Sequence, residues 1–174
     1  MSGDGAAEEP LYVRDPGAWR EQLAEGNRIQ ARKRVAAKVL LQDEQGRMLL
    51  VDPVYKPFWD LPGGMAEANE SPHNAARREV NDEVGLIVEI GELLSVEWVA
   101  PHGPWDDLIM FVFDGGAVTP RVARELRPRD PELQAVGWYT LEQAARPLRE
   151  DVWERTRHAL CALEDKASVY RYRQ

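Results

Sequence analysis

Gly64-Met65-Ala66-Glu67-Ala68-Asn69-Glu70-Ser71-Pro72-His73-Asn74-Ala75-Ala76-Arg77-Arg78-Glu79-Val80-Asn81-Asp82-Glu83-Val84-Gly85-Leu86 is the stretch on which the reading of this chain turns. Ser71-Pro72 predicts a helix start, because serine caps free backbone N–H groups and proline is pre-set for the first helical position. Gly85 predicts the stop, since glycine takes the left-handed residue after a helix without strain. Between them a pitch of 3.6 residues places Glu79, Asp82 and Glu83 at i, i+3 and i+4, on one side, next to an apolar stripe of Ala76, Val80 and Val84. Carboxylates crowded into a turn and a half repel one another unless a cation is present, and hard oxygen ligands suit Mg²⁺ or Mn²⁺. Arg78 is placed to hold one of these carboxylates, or Glu70, in a charge-assisted pair.

Taken singly, these pieces have plain explanations. Acids at this spacing ordinarily make a solvated helix face, and Pro62-Gly63-Gly64 is by itself a turn. Together they make a loop-helix-loop platform in which Gly63 or Gly64 presents a backbone carbonyl to a metal. The whole stretch resembles the Nudix box: Gly, five residues, Glu, seven residues, then Arg-Glu-apolar-any-Glu-Glu-any-Gly-apolar. Asp82 stands where that pattern has the first glutamate of the pair, and Trp59-Asp60-Leu61-Pro62-Gly63-Gly64 resembles the usual lead-in.

The resemblance implies an α/β Nudix fold, an α/β/α sandwich around a mixed β-sheet, over about residues 34–146. It also implies metal-dependent hydrolysis of a nucleoside diphosphate derivative or a nucleoside triphosphate. On this reading Gly64, Glu79, Asp82 and Glu83 hold Mg²⁺ or Mn²⁺, and the catalytic set is Arg78, Glu79, Glu83 and Glu132. Asp82 is one methylene shorter than the usual glutamate, so contact through water is the expected substitute there. Glu132 stands six residues before Trp138, the position from which an acid reaches the metals in oxidised-nucleotide-sanitising members. Glu97, Asp106 and Asp107 are the competing acids outside the box, and His102 lies in a Gly- and Pro-flanked loop with Pro101. Among groups that could meet the substrate, Trp105, Trp59 and Arg34 are singled out, with Trp98 and Phe58 also able to stack a base.

Length and charge agree. A chain of 174 residues, 44% hydrophobic, buries one good core, and a net charge of −8 disfavours a nucleic-acid groove while leaving a phosphate substrate open, because bound metal inverts the local field. No apolar run approaches membrane length and residues 1–10 do not resemble a signal peptide, so no membrane partner is expected. With one cysteine, Cys161, a disulfide framework is excluded and a cytoplasmic setting is expected.

Three segments follow: an extension with a helix (1–33), the Nudix domain (34–146), and an amphipathic helix and tail packed on that domain (147–174). The helix expected over 15–33 carries Trp19, Leu23 and Ile29 and a basic cluster of Arg28, Arg32, Lys33 and Arg34; its expected role is docking or homodimerisation, with contact to substrate phosphate the alternative. Strands are expected at 34–42, 47–52, 59–61, 86–89, 93–100, 108–114 and 135–140. Residues 121–132 read as charged and irregular. Thr140-Leu141-Glu142-Gln143 reads as a capping box, and 148–163 as a helix after the break at Pro147. Two other functions fit the fold. One is a non-catalytic binding or regulatory module; the other is an isoprenoid diphosphate isomerase, which needs a reactive cysteine near its substrate.

Overall fold

The computed structural model describes residues 9–173, and side chains up to residue 170. The stretch considered for a leader peptide therefore lies mostly outside the described residues. Chain contacts divide the molecule into two units, residues 1–32 and 33–174. In the first, α1 (Leu11–Arg14) leads into α2 (Pro16–Ile29), which is capped by Asp15 accepting from the Ala18 N–H at 2.9 Å. Neither helix buries a residue, and Trp19, Leu23 and Ile29 are exposed. The expected helix stops at Ile29 rather than at 33, because Gln30 is already extended.

The second unit runs β1 (Arg34–Asp43), β2 (Met48–Pro53), β3 (Gly63–Met65), α3 (Pro72–Val84), β4 (Leu93–Val99), β5 (Leu108–Val118), α4 (Pro120–Glu125), β6 (Leu133–Tyr139), α5 (Leu141–Ala144), α6 (Glu150–Asp165) and β7 (Val169–Arg173). The sheet is mixed, in the order β6-β2-β1-β5-β4-β7. β1 lies at its centre, parallel to β5 and antiparallel to β2 and β3.

Alternation along β1 explains the layering. Ala37, Val39 and Leu41 join Leu49 and Val51 beneath Ala75, Ala76, Val80 and Val84 of α3. Leu40 joins Leu50 and Val112 beneath Val152, Ala159 and Ala162 of α6. Strand side chains point to opposite faces at each step, so one strand serves both helical layers. The expected α/β/α arrangement around a mixed sheet is what forms.

Several local expectations need correction. Residues 86–89 form no strand; their backbone pairs with nothing in the sheet, and Val88 and Ile90 instead enter the α3-side core. Residues 59–61 make only isolated bridges, Val51 with Asp60 and Trp59 with Leu148. The stretch read as irregular opens with α4, capped by Thr119 and started by Pro120. The last helix begins at Glu150, where two acids occupy its first turn, and ends at Asp165. The strand β7 was not expected at all, because Val169–Arg173 is too short for its period to register. No helix among the described residues is long and apolar enough to cross a membrane.

Candidate active site

Helix α3 is held as its sequence indicates. Ser71 accepts from the Asn74 N–H, Pro72 opens the first turn, and Gly85 closes the helix in the left-handed conformation. Buried Ala75, Ala76, Val80 and Val84 fix which side faces the sheet, so Glu79 and Glu83 rise beside β3. There the backbone bends at Pro62 into β3. Gly63 has φ +121°, and a Cβ on it would sit 2.2 Å from the Ala37 carbonyl oxygen; one on Gly64 would sit 2.6 Å from the Glu79 carboxyl carbon. Only glycines let the backbone approach both the strand and the acid this closely.

A cavity of about 260 Å³ opens over this turn, lined by Tyr55, Gly63, Gly64, Met65, Glu79, Glu83, Asp130, Glu132 and Leu133. Glu132 reaches it because its loop is tied down on both sides. Asp130 accepts from the Glu132 N–H at 2.7 Å, the Glu132 carbonyl accepts from Val54, and Arg129 donates its N–H to the Glu83 carbonyl at 2.8 Å. A larger cleft of about 840 Å³ around Gly137, Trp138, Tyr139 and Arg146 contains one carboxylate, Glu142, so convergence of acids rather than volume marks the site.

Glu70, Glu79 and Glu83 each have a partner. Arg78 grips Glu70 through two N–H groups (3.0 and 2.8 Å), donates to Glu79 at 2.8 Å and to the Met65 carbonyl at 3.0 Å. That fork holds the Glu70 carboxyl down at about 2 and raises the guanidinium further. Glu83 accepts the Gly63 N–H at 2.7 Å. Burial pushes its carboxyl up to about 7, with Lys38 and the Gly63 N–H pulling the other way. Because Glu79 is turned toward Arg78 and Glu83 toward Gly63, no three Asp, Glu, His or Cys side chains among the described residues close tightly around a single point.

The other sequence candidates separate. Asp82, grouped by spacing with Glu79 and Glu83, is half exposed, 3.8 Å from Arg78, and does not line the cavity. Three steps of 100° turn it away from Glu79 by 60° while four bring Glu83 back within 40°, so the cleft takes the Glu79–Glu83 side. Trp59 is not at the cavity either; it packs edge-on against Tyr139 (5.2 Å between ring centroids) in the α6-side core. Trp105 is exposed with Arg34 stacked over it at 4.7 Å, and Arg34 lies 3.9 Å from the sulfur of Met65, a cavity residue. Glu97 is buried in a pair with Arg155 at 2.7 Å, Asp107 is bonded to Lys33 and to Trp98, and the Asp106 carbonyl accepts from Arg34. None of these three acids lines the cavity. His102 faces the Ala100 carbonyl.

Sequence reasoning missed Asp130 and Tyr55. A second acid two residues from Glu132 was a visible signal; Tyr55 carried none.

The family profile described as the NUDIX domain matches residues 32–163. This chain belongs to the Nudix family. A MutT-like protein of Streptomyces ambofaciens is 30% identical over 111 residues, 62% of this chain and 64% of that one. The human 8-oxo-dGDP phosphatase NUDT18 is 31% identical over 148 residues, 82% of this chain and 42% of its own length. The matched segments thus span less than two thirds of these relatives. Among solved structures, the MutT protein of Methanosarcina mazei Go1 superposes with a TM-score of 0.61 at 25% identity, covering 74% of this chain and 96% of that one. Within the Nudix fold Cys161 is exposed on α6 and outside the acidic cavity, which removes the thiol an isomerase would need there.

Proposed function

We propose that this protein is a metal-dependent pyrophosphohydrolase that cleaves the diphosphate linkage of a nucleoside diphosphate derivative or a nucleoside triphosphate. The observation that carries the reading is the convergence of Glu79, Glu83, Asp130 and Glu132 on one small cavity floored by Gly63 and Gly64. A surface without cations gains nothing from four such acids, and an oxygen-only donor set is the chemistry Mg²⁺ or Mn²⁺ prefers. The Gly64 cradle fits too: the space a Cβ would take is the space between its backbone and the Glu79 carboxylate.

Glu79, Glu83 and the Gly64 carbonyl would hold the cation. Bound divalent cation supplies charge neutralisation along the pyrophosphate, which otherwise repels an attacking water. Arg78 keeps Glu79 in place while anchored on Glu70. Glu132, on its tied loop, is positioned to order the attacking water or accept its proton. Arg34, beside the sulfur of Met65, and Trp105, on which Arg34 stacks, would offer a cation and an aromatic face to the substrate. The full set of acids speaks against a non-catalytic module.

A cytoplasmic setting goes with this reading, as do a small-molecule partner rather than nucleic acid and homodimerisation through the exposed apolar residues of α2, which sedimentation would test. The deciding experiment is a panel of nucleoside diphosphate derivatives, 8-oxo nucleotides included, and nucleoside triphosphates with Mg²⁺ or Mn²⁺, identifying the bond cut. Hydrolysis that vanishes with chelator and returns with the cation supports the proposal; full activity after rigorous metal removal overturns it.

A further inference from the structure

Lys38 is a lysine in the middle of the central strand, and its side chain is nine-tenths buried. Its register neighbour is Val112, and the next residue on the same face of β1 is Leu40, so an apolar side chain would suit the position. Burying an ammonium there costs several kcal/mol before any pairing. The evident reason would be to neutralise Asp60, which is also buried and lies 3.2 Å away. Yet Asp60 already has a cation: Lys56 approaches the same carboxylate oxygen more closely, at 2.6 Å. Its other oxygen is occupied by the Leu61 N–H at 2.8 Å. One carboxylate therefore faces two lysines, and the more deeply buried one is surplus to charge balance within that pair.

What Lys38 alone does is donate to the Gly63 carbonyl. β1 and β3 pair antiparallel with Lys38 opposite Gly63, so the ammonium bridges the two ends of that register. The Gly63 peptide unit is the hinge of the acidic cavity. Its N–H holds Glu83 at 2.7 Å, and the residue that follows is Gly64, whose backbone abuts Glu79. With no side chain and φ at +121°, Gly63 has nothing of its own to fix that conformation. Asp60 and Glu83 both attract the ammonium.

We propose that Lys38 is a positioning residue for the metal site, locking the Gly63–Gly64 turn from behind so that Glu83 and Glu79 are held ready for the cation. The inference rests on the metal-dependent reading above. Groups that orient metal ligands from behind typically change metal affinity by about 10- to 100-fold when removed.

The test is Mn²⁺ titration of the full chain followed by electron paramagnetic resonance, with steady-state kinetics alongside, for Lys38→Met and Lys56→Met. Lys38→Met leaves Asp60 paired with Lys56 but strips the Gly63 carbonyl of its donor. It is expected to raise the Mn²⁺ dissociation constant by about tenfold or more and to lower kcat by a similar factor, with substrate KM changed by less than about threefold. Lys56→Met takes a cation from Asp60 without touching Gly63, so a lowered Tm with Mn²⁺ affinity within about twofold of wild type is expected. The double variant Lys38→Met/Asp60→Asn restores the net charge that the Lys38, Lys56 and Asp60 cluster has in the wild type and should still bind Mn²⁺ weakly, since Gly63 remains unheld. Wild-type Mn²⁺ affinity in a folded Lys38→Met or in the double variant overturns the proposal, as does loss of fold in both, which would make Lys38 a stability residue. If the wild-type chain itself binds no Mn²⁺, it is the metal-dependent reading that fails.

Discussion

Glu83 is where burial, charge and geometry meet. Its carboxylate sits beside Glu79 and Glu132 with one backbone N–H for company, so removing its charge while keeping its shape isolates its role. Glu83→Gln is expected to lower turnover by about three orders of magnitude with an unchanged circular dichroism spectrum, as for loss of a group that stabilises the transition state directly. Glu132→Gln should cost about 10²-fold in kcat with little change in KM. Glu97→Gln, Asp106→Asn and Asp107→Asn serve as controls because none lines the cavity. Should one control collapse while Glu132→Gln stays near normal, the outer acid has been misassigned.

Proton linkage gives a second expectation at the same residue. The folded-state pKa of Glu83 is raised from 4.5 to about 7 by burial, so the folded protein holds this proton more tightly than the unfolded chain. Its contribution to stability is fully present below about pH 4.5 and is lost as pH rises through about 7. Thermal melts in chelator should show this loss over that window, and Glu83→Gln should flatten it. A metal-free melting temperature that instead rises through that window on account of Glu83 would contradict the assignment.

At the scale of elements, α3 and β3 form one device: a capped helix presents the acids and a side-chain-free turn meets them. Gly63→Ala is expected to cost about 3 kcal/mol or more, because the strained conformation and the clash with the Ala37 carbonyl act together. Ser71→Ala, which removes only a cap, should cost about 1 kcal/mol. Urea denaturation separates the two. Across the sheet, β4 and α6 are joined by the buried Glu97–Arg155 pair, and one Glu97 oxygen has no hydrogen-bond partner. Arg155→Met would leave that carboxylate buried and uncompensated, and a loss of about 3–5 kcal/mol is expected in the same assay.

For the molecule as a whole, ligand binding and folding are linked. A cation that binds only the folded state should raise Tm in proportion to its saturation, and chelator should reverse the shift. The unit 1–32 contributes no buried residue from α1 or α2, so a chain lacking it is expected to keep the melting temperature of the remainder within a few degrees.

How much of this was legible beforehand follows from the range of each interaction. Helix α3, its cap, its stop, the Gly63–Gly64 turn and the Glu79/Glu83 pair depend on neighbours within a few residues, and a fixed pitch makes such relations visible in a string of letters. The layered mixed sheet was legible through strand alternation and through the Nudix resemblance. The fate of Asp82 was not, because spacing gives an angle around a helix but not the direction from which the cavity opens. Nor was the choice of Glu132 over Glu97. The two are alike as letters, and only the folded sheet buries one against Arg155 and hangs the other over Gly63. Trp59 looked like a ligand contact until the α6-side core claimed it. Asp130 and Tyr55 enter the cavity from loops, Lys38 reaches the Gly63 carbonyl from β1, and no local rule ties them to it. Local geometry was thus determined by the sequence alone; which charges face one another across the sheet was decided by tertiary packing, because burial and long-range contact exist only once the chain has closed.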